Sequence, residues 1–448
     1  MGLAFLAPFL VALLYRDWMQ ALVFLVIGAT AFALGRKPDR EAVLAPRDAL
    51  VLGASVYLLF ALVGALAYLP VAPFIDGFFE SMSGFTTTGL SVMDPDALPR
   101  SLVFFRSYSQ WIGGAGIVVL SIVFLPGARA TLAHLFAAEF KEENLLGNVV
   151  ATMRMVFAIY GVLTLAAVVV YVAVGMTPFD GVVHALSTLS TGGFSSHSTS
   201  IGFYPSITVQ WAVSFFMLTG AVSFPLYYRA RRDGIQRFFQ DPQLLALVSL
   251  VGLASVASLV YAGWRSRPEM LVEHLFHAVS SVTTTGFNVT DTNEWPEGFR
   301  ISSVVLMVIG GSAGSTAGGI KLVRLLLVAR VIGWTMIRAL LPQEAKVPVR
   351  HEGQSVTDNE IRDVLGFLGL YVTVLVVSTL LLAAGGFAPM DSLFEATSAL
   401  GTVGLSTGIT SAAMPVWAKL LLIVDMWAGR LEILPVLVFF YPGHWRSK

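Results

Sequence analysis

The chain has 448 residues, of which 56% are hydrophobic and 12% charged, whereas soluble domains carry about 25% charged residues. With a mean hydropathy of +0.76, this composition excludes an ordinary soluble domain and points to residence in lipid. A formal net charge of zero gives no reason to expect a nucleic-acid partner, and the absence of cysteine excludes disulfides and thiolate metal sites.

In chain order, residues 1–14 are apolar but lack a basic stretch before them and a small-residue cleavage site after them, so they read as a short first helix and not as a signal peptide. Residues 21–34 read as a second. Apolar runs follow at 50–69, 111–125, 156–174, 209–227, 244–262, 365–384 and 420–440. Most are close to the roughly 20 residues that an α-helix needs to cross the hydrocarbon. From 301 to about 341 the chain stays membrane-like for twice the length of one span, and Gly, Ser, Ala and Thr interrupt it at 310–319. A helix break is expected there.

Cationic residues cluster between these runs: Arg36, Lys37, Arg40 and Arg47; then Arg229, Arg231, Arg232 and Arg237; then Arg324, Arg330, Arg338, Lys346 and Arg350. The bias of Lys and Arg toward the inner side of a membrane makes these connections cytoplasmic.

Four segments align without gaps, starting at Asp76, Asp180, Glu273 and Asp391 and ending at Gly89, Gly193, Gly286 and Gly404. Each has a serine six positions before its glycine (Ser83, Ser187, Ser280, Ser398) and a threonine two before it (Thr87, Thr191, Thr284, Thr402). Each is bracketed by apolar runs, so the repeating unit is span, short helix, loop, span. From Asp76 to Thr86 is about eleven residues, or roughly 16 Å of helix, half a bilayer. Non-helical backbone at that depth needs protein or a water-filled cavity around it, so the four loops are expected to surround a common axis.

The acidic residue at the start of each half-helix is suited to capping it, and the opposite, negative helix end then points to the membrane centre. Four such ends around one cavity stabilise a cation. Beyond them, glycine permits backbone angles that turn the carbonyls of the Thr-x-Gly stretch inward. Rings of carbonyls replace an ion's hydration shell in the TVGYG filters of K⁺ channels, and Thr402-Val403-Gly404 has that TVG. A single Thr-Thr-Thr-Gly also reads as an ordinary turn; four in register do not. The serines read as packing positions behind the loop. Nine positions before the glycines stand Glu80, His184, His277 and Glu395, read as outward-facing residues of the mouth. His274 and His277 share a helical face but have no matching carboxylate or thiol cluster for a metal.

These segments, with residues 110–117 (QWIGGAGI), 314–321 (GSTAGGIK) and 429–433 (GRLEI), resemble the Trk/Ktr/HKT superfamily of K⁺ transporters, most nearly its bacterial TrkH branch. The resemblance runs from about residue 45 to the end, and the two helices before it also look like that branch. It implies an all-α integral membrane fold of four covalently linked helix–pore-loop–helix units around a pseudo-fourfold pore, plus two extra N-terminal transmembrane helices. The expected division is 1–45, 46–130, 146–235, 241–341 and 358–442.

The resemblance implies a K⁺ filter at Thr87, Thr88 and Gly89, at Thr191, Gly192 and Gly193, at Thr284, Thr285 and Gly286, and at Thr402, Val403 and Gly404. Glycine at 89 resembles the K⁺-selective members, where Na⁺-preferring plant relatives carry serine. It also implies a gate in 310–319, with Gly310, Gly311, Gly314, Ser315, Thr316, Gly318 and Gly319 in the loop and Lys321 and Arg430 beside it. By itself the loop also reads as a small-residue packing patch. Arg430, costly inside an apolar span, is expected to meet loop carbonyls or Glu432. Lys321 reads as a second barrier or an interfacial anchor.

The implied function is uptake of K⁺, and of Rb⁺, across the bacterial cytoplasmic membrane. The implied partners are lipid, a second copy of the chain as a homodimer, and a cytosolic TrkA-type ring carrying the nucleotide-binding domains that this chain lacks. No cofactor is expected, only K⁺ as the transported ligand. An enzyme is disfavoured, since no HExxH, P-loop or Gly-x-Ser-x-Gly motif occurs. A K⁺/H⁺ or K⁺/Na⁺ symporter of the same fold is the stronger rival, although no membrane-buried acid stands out in the sequence as a proton carrier.

Overall fold

The computed structural model describes residues 2–35, 46–124, 149–262, 268–342, 349–351 and 354–441. The basic residues Arg36, Lys37, Arg40 and Lys346, and the side chains of Arg47 and Arg350, lie outside what it describes.

A short 3₁₀ turn, Gly2–Phe5, leads into α1 (Leu6–Leu14), which folds back on α2 (Trp18–Leu34). This hairpin is joined to the first unit by aromatic packing, with Phe5 and Phe24 at 5.8 and 5.3 Å from Phe105 between ring centroids. Asp17, at the turn, accepts at 3.0 Å from the N–H of Ser101, one of the donors left free at the start of the helix Arg100–Phe124.

The four units follow. The first comprises α3 (Pro46–Ala65), α4 (Phe74–Phe85) and α5 (Arg100–Phe124). The second comprises α6 (Val149–Ala173), α7 (Pro178–Leu189), α8 (Ile207–Ala221) and α9 (Phe224–Asp233), and α10 (Ile235–Phe239) links it to the third. The third comprises α11 (Pro242–Ala262), α12 (Pro268–Val282), α13 (Glu297–Ile309) and α14 (Leu322–Ala339). A two-residue ladder, Arg350–His351 with Gln354–Ser355, precedes the fourth. That unit comprises α15 (Asp358–Ala384), α16 (Pro389–Leu400), α17 (Val416–Arg430) and α18 (Leu434–Phe440).

Among the described residues, Leu50–Tyr68, Met153–Ala173 and Asp358–Ala384 are long and apolar enough to cross a membrane unaided. They are the opening helices of units one, two and four. On α6 the exposed face is Val162, Leu165 and Val169, at helical spacing. The short helices α4, α7 and α16 are largely buried beyond their first turn. Apolar side chains thus face outward where a water-soluble domain carries polar ones, and serines and threonines are buried within a core that is itself largely apolar.

Among the described residues, three of the four closing helices are broken, and a break is expected from the sequence in one of them. The expected span 209–227 bends by 88° between α8 and α9. The expected span 420–440 stops at Arg430 and restarts at Leu434, with Glu432 and Ile433 at φ of 60° and 63°. Proline at the second position of each new helix, Pro225 and Pro435, prevents continuation of the old one and is the signal that was available in the sequence.

The backbone groups freed at the α8/α9 break are taken by the third unit's loop. Ala221 O accepts from Ser312 N at 3.0 Å, Gly220 O from Thr316 N at 3.4 Å, and Phe224 N donates to Gly314 O at 3.0 Å. Two irregular segments therefore satisfy each other where lipid and water cannot.

Candidate functional site

The four half-helices end identically. The N–H groups of Thr88, Gly192, Thr285 and Val403 donate to the carbonyls of Ser83, Ser187, Ser280 and Ser398 at 2.8 to 3.0 Å. The N–H groups of Thr87, Thr191, Thr284 and Thr402 donate to carbonyls three residues back. This is a Schellman ending, and its left-handed position, normally glycine, is held here by threonine at φ of 51 to 54°. A β-branched residue there is strained by about 1–3 kcal/mol and persists only where its surroundings fix it. The sequence reading located these threonines but not their left-handed backbone.

The glycines that follow are left-handed too, with φ of 90°, 77°, 83° and 101° at Gly89, Gly193, Gly286 and Gly404. A Cβ on Gly89 would collide with Gly192 O, on Gly193 with Thr285 O, on Gly286 with Val403 O, and on Gly404 with Thr88 O. Each glycine thus lies against the carbonyl preceding the next unit's glycine, and the fourth returns to the first. In all four stretches the glycine is partly exposed, while the two residues before it and the one after it are buried. The glycines line an accessible space around which the ring closes.

The acidic residues do not occupy the capping position assigned to them above. Asp76, Asp180 and Asp391 lie at the third residue of their helices, and Glu273 is a turn further in because α12 starts at Pro268. Proline, preceding or opening each helix, moves the start earlier; the carboxylates still lie near the positive end of the dipole. Two of them clasp neighbouring units: Asp76 binds Lys419 Nζ of α17 at 2.6 Å, and Asp391 binds Arg300 of α13. Asp180 accepts from Ser196 Oγ at 2.6 Å.

Glu80, His184, His277 and Glu395 are not mouth residues: all four are fully buried. They tie down the chain as it leaves each glycine. Glu80 accepts from Ser91 Oγ at 2.6 Å and Val92 N at 2.7 Å, and Glu395 accepts from Ser406 Oγ and from Thr407 N at 3.0 Å. His277 Nε2 accepts from Val289 N at 3.1 Å. His184 donates from Nδ1 to Asp180 O at 2.8 Å, which leaves Nε2 to accept from Ser195 Oγ at 2.9 Å. The helix interior was the better expectation, since a position nine before the glycine lies within the half-helix.

Two of the serines at the sixth position brace their loops from behind: Ser280 Oγ donates to Phe287 O at 2.7 Å, and Ser398 Oγ accepts from Gly404 N at 3.0 Å, whereas Ser187 Oγ donates to Ser107 Oγ of α5 at 2.8 Å. Where units one and two touch, Ser198 donates to Asp96 through both its N–H, at 2.9 Å, and its hydroxyl, at 2.5 Å. These bonds, with His197 beside them, hold the Asp96 carboxyl below the usual carboxylate range.

The loop 310–319 lies against the inner ends of these elements and is almost wholly buried. Thr316 Oγ1 donates to Leu189 O at 2.9 Å, at the end of α7. Gly318 N donates to Thr284 Oγ1 at 2.7 Å, and a Cβ on Gly318 would collide with Gly401 O and Thr402 Oγ1. The loop therefore touches the second, third and fourth stretches together. Arg430 Nη1 donates to Thr316 O at 2.7 Å, and Lys321 Nζ to Ala317 O at 2.5 Å. Glu432 pairs with Arg324 at 2.5 Å, not with Arg430. Gly310, Gly311, Gly314, Ser315 and Gly319 complete the loop's turns and make no hydrogen bond to the four stretches.

One acid that does not stand out in the sequence is buried within a span. Asp425 of α17 is 2% exposed, and its Oδ1 accepts from Ser378 Oγ of α15 at 2.8 Å. Two residues of α5 given no role from the sequence are Arg106 and Gln110, the latter entering only as part of the 110–117 motif. Arg106 bonds to Glu80 Oε2 at 3.1 Å and lies 4.1 Å over the Phe194 ring, across the junction between the first two units.

Comparison with known proteins agrees with this architecture. A family model described as TrkH, cation transport protein, matches residues 65–445. The Trk system potassium uptake protein TrkH of Halomonas elongata is 33% identical over 468 residues, covering 100% of this chain and 96% of that protein. The Trk system potassium uptake protein TrkG of Escherichia coli K12 is 32% identical, with the same coverage. The crystal structure of the potassium transporter TrkH from Vibrio parahaemolyticus superposes with a TM-score of 0.85 at 31% identity, covering 99% of this chain and 96% of that one. The chain belongs to the TrkH family of cation transport proteins.

Proposed function

We propose that this chain takes up K⁺, and with it Rb⁺, across the cytoplasmic membrane through the ring formed by Thr87–Gly89 and its three counterparts. The observation that carries the reading is the closed cycle of glycine-to-carbonyl contacts around partly exposed glycines. Glycine at all four positions lets four backbones approach an ion that has shed its water, and the carbonyls beside them replace that water. The buried hydroxyls of Thr87 and Thr402, which have no hydrogen-bond partner among the described residues, are further oxygen ligands at the edge of the ring.

The loop 310–319 is the gate in this reading, lying below the ring and held by the two cations Arg430 and Lys321. The four units and the N-terminal hairpin keep the division given above. A cytosolic TrkA-type ring docks on the face carrying Arg229, Arg231, Arg232 and Arg237, and two copies of the chain pair as a homodimer with one pore each. The relatives' designation as parts of a Trk system supports a regulatory partner.

The test is ⁸⁶Rb⁺ uptake into proteoliposomes holding this chain alone, with K⁺ or Na⁺ competing outside. Block by K⁺ at concentrations where Na⁺ has little effect is the expected result. Equal block by both ions would overturn K⁺ as the substrate.

A coupled symporter draws on one observation, the buried Asp425. Uptake into vesicles with an imposed pH gradient separates the readings. If protons are coupled through Asp425, the gradient accelerates wild-type uptake and Asp425→Asn abolishes that response; passive uptake leaves both proteins indifferent to the gradient.

A further inference from the structure

The second stretch lacks a side chain where the other three carry one: Gly192 stands in the place of Thr88, Thr285 and Val403. Another unit fills that space. A Cβ on Gly192 would collide with Cδ, Oε1 and Nε2 of Gln110, from α5 of the first unit. The Gln110 side chain is fully buried and its amide spans Gly193. Nε2 donates to Gly192 O at 2.6 Å, and Oε1 accepts from Phe194 N at 3.1 Å.

The consequence follows from the backbone. The peptide between Gly192 and Gly193 has no Cβ on either side, so it rotates more freely than its three counterparts. Rotation would present an N–H where the ring needs a carbonyl. Gln110 bonds to the peptides on both sides of Gly193 and opposes that rotation. One helical turn earlier on the same face, Arg106 holds the continuation of the stretch, with Nη1 at 3.5 Å from Ser195 O.

We infer that Gln110 is the positioning residue of the second stretch, standing in for the side chain that Gly192 lacks, and that K⁺/Na⁺ discrimination by the whole ring depends on it. This rests on the ring being the selectivity filter, as proposed above. The other stretches are braced from within their own units: Thr86 to Thr88 and Thr283 to Thr285 by hydroxyl pairs at 2.8 Å, and the fourth by Ser398.

The test uses full-length protein and two readouts: competition of ⁸⁶Rb⁺ uptake by K⁺ and Na⁺, and the concentrations of K⁺ and Na⁺ that give equal thermal protection in detergent. The second works even when the chain is shut. Gln110→Met fills the space without either bond, and Gln110→Glu keeps the shape but loses the donor to Gly192 O. Both are expected to lower the K⁺/Na⁺ ratio by about tenfold, the scale of one to two lost hydrogen bonds. Gly89→Ser runs in parallel. A ratio lowered in Gly89→Ser but unchanged in both Gln110 variants overturns the inference and leaves the filter standing; a ratio unchanged in all three overturns the filter itself.

If neither single variant folds, Gln110→Ala combined with Gly192→Thr keeps the question open to measurement. Gly192 does not have a positive φ, and threonine there restores the side chain present in the first and third stretches. The pair is expected to fold and to discriminate K⁺ from Na⁺ within a fewfold of wild type, and failure to discriminate would overturn the stand-in role.

Discussion

Gly89→Ser is expected to reduce the K⁺/Na⁺ preference of uptake by at least about tenfold, which requires only about 1.4 kcal/mol of differential binding. Two effects combine at this position. The backbone φ of 90° strains any residue with a Cβ, and that Cβ would occupy the space of Gly192 O. Because Gln110 holds the same carbonyl at 2.6 Å, the strain is not relieved locally and the ring must open. A wider, softer ring fits Na⁺ and K⁺ more equally. Gly386→Ser is the control: φ is 98° there, but no atom lies within 4 Å of the added Cβ. It should lower thermal stability while leaving ion preference intact. If Gly89→Ser folds and keeps the wild-type preference, the assignment of the ring as the filter fails.

Deleting Ser315–Ala317 should raise ⁸⁶Rb⁺ flux about tenfold or more in a well-folded variant, the effect of removing a barrier of about 1.4 kcal/mol. These three residues carry the contacts to Leu189 O, to Arg430 and to Lys321. The deletion spares the bonds of Ser312 and Gly314 to the broken α8/α9 segment, so the backbone groups freed there keep two of their partners. Removal of all of 310–319 would uncover them and unfold the region, which is why the smaller excision is the informative one. Size-exclusion chromatography distinguishes a folded variant from a collapsed one. Unchanged or reduced flux through a monodisperse protein would show that the loop is packing and not a gate.

The fold was legible because the membrane restricts the solutions. Half-length helices before a glycine, repeated in register, are consistent only with re-entrant loops about one axis, since irregular backbone in lipid needs protein around it. The break at 310–319 was legible for the same reason, as a run twice the length of a span with glycines in its middle. The breaks at 222–223 and 431–433 were marked only by Pro225 and Pro435, and each lies inside an apolar run of ordinary span length. Hydropathy averaged over a whole span does not register a turn of two or three residues, even with Ser223 in one and Glu432 in the other.

The site was legible as positions and not as geometry. Repetition picked out Glu80, His184, His277 and Glu395 without telling that their side chains turn back to hold the departing chain. That depends on the course of residues 90–93, 194–197, 287–289 and 405–410, which only the assembled units define.

What the sequence by itself determined is the lipid environment, the fourfold repeat and the twelve residues of the Thr-x-Gly stretches, because length, apolarity and register are local properties of the chain. What only the tertiary structure decided is which groups meet across units: Gly89 with Gly192, Lys419 with Asp76, Thr316 with Leu189 and Gln110 with Gly192. Lys419 and Asp76 lie 343 residues apart in the chain. Such pairs follow from how four helices close around an axis, and no local pattern encodes that closure.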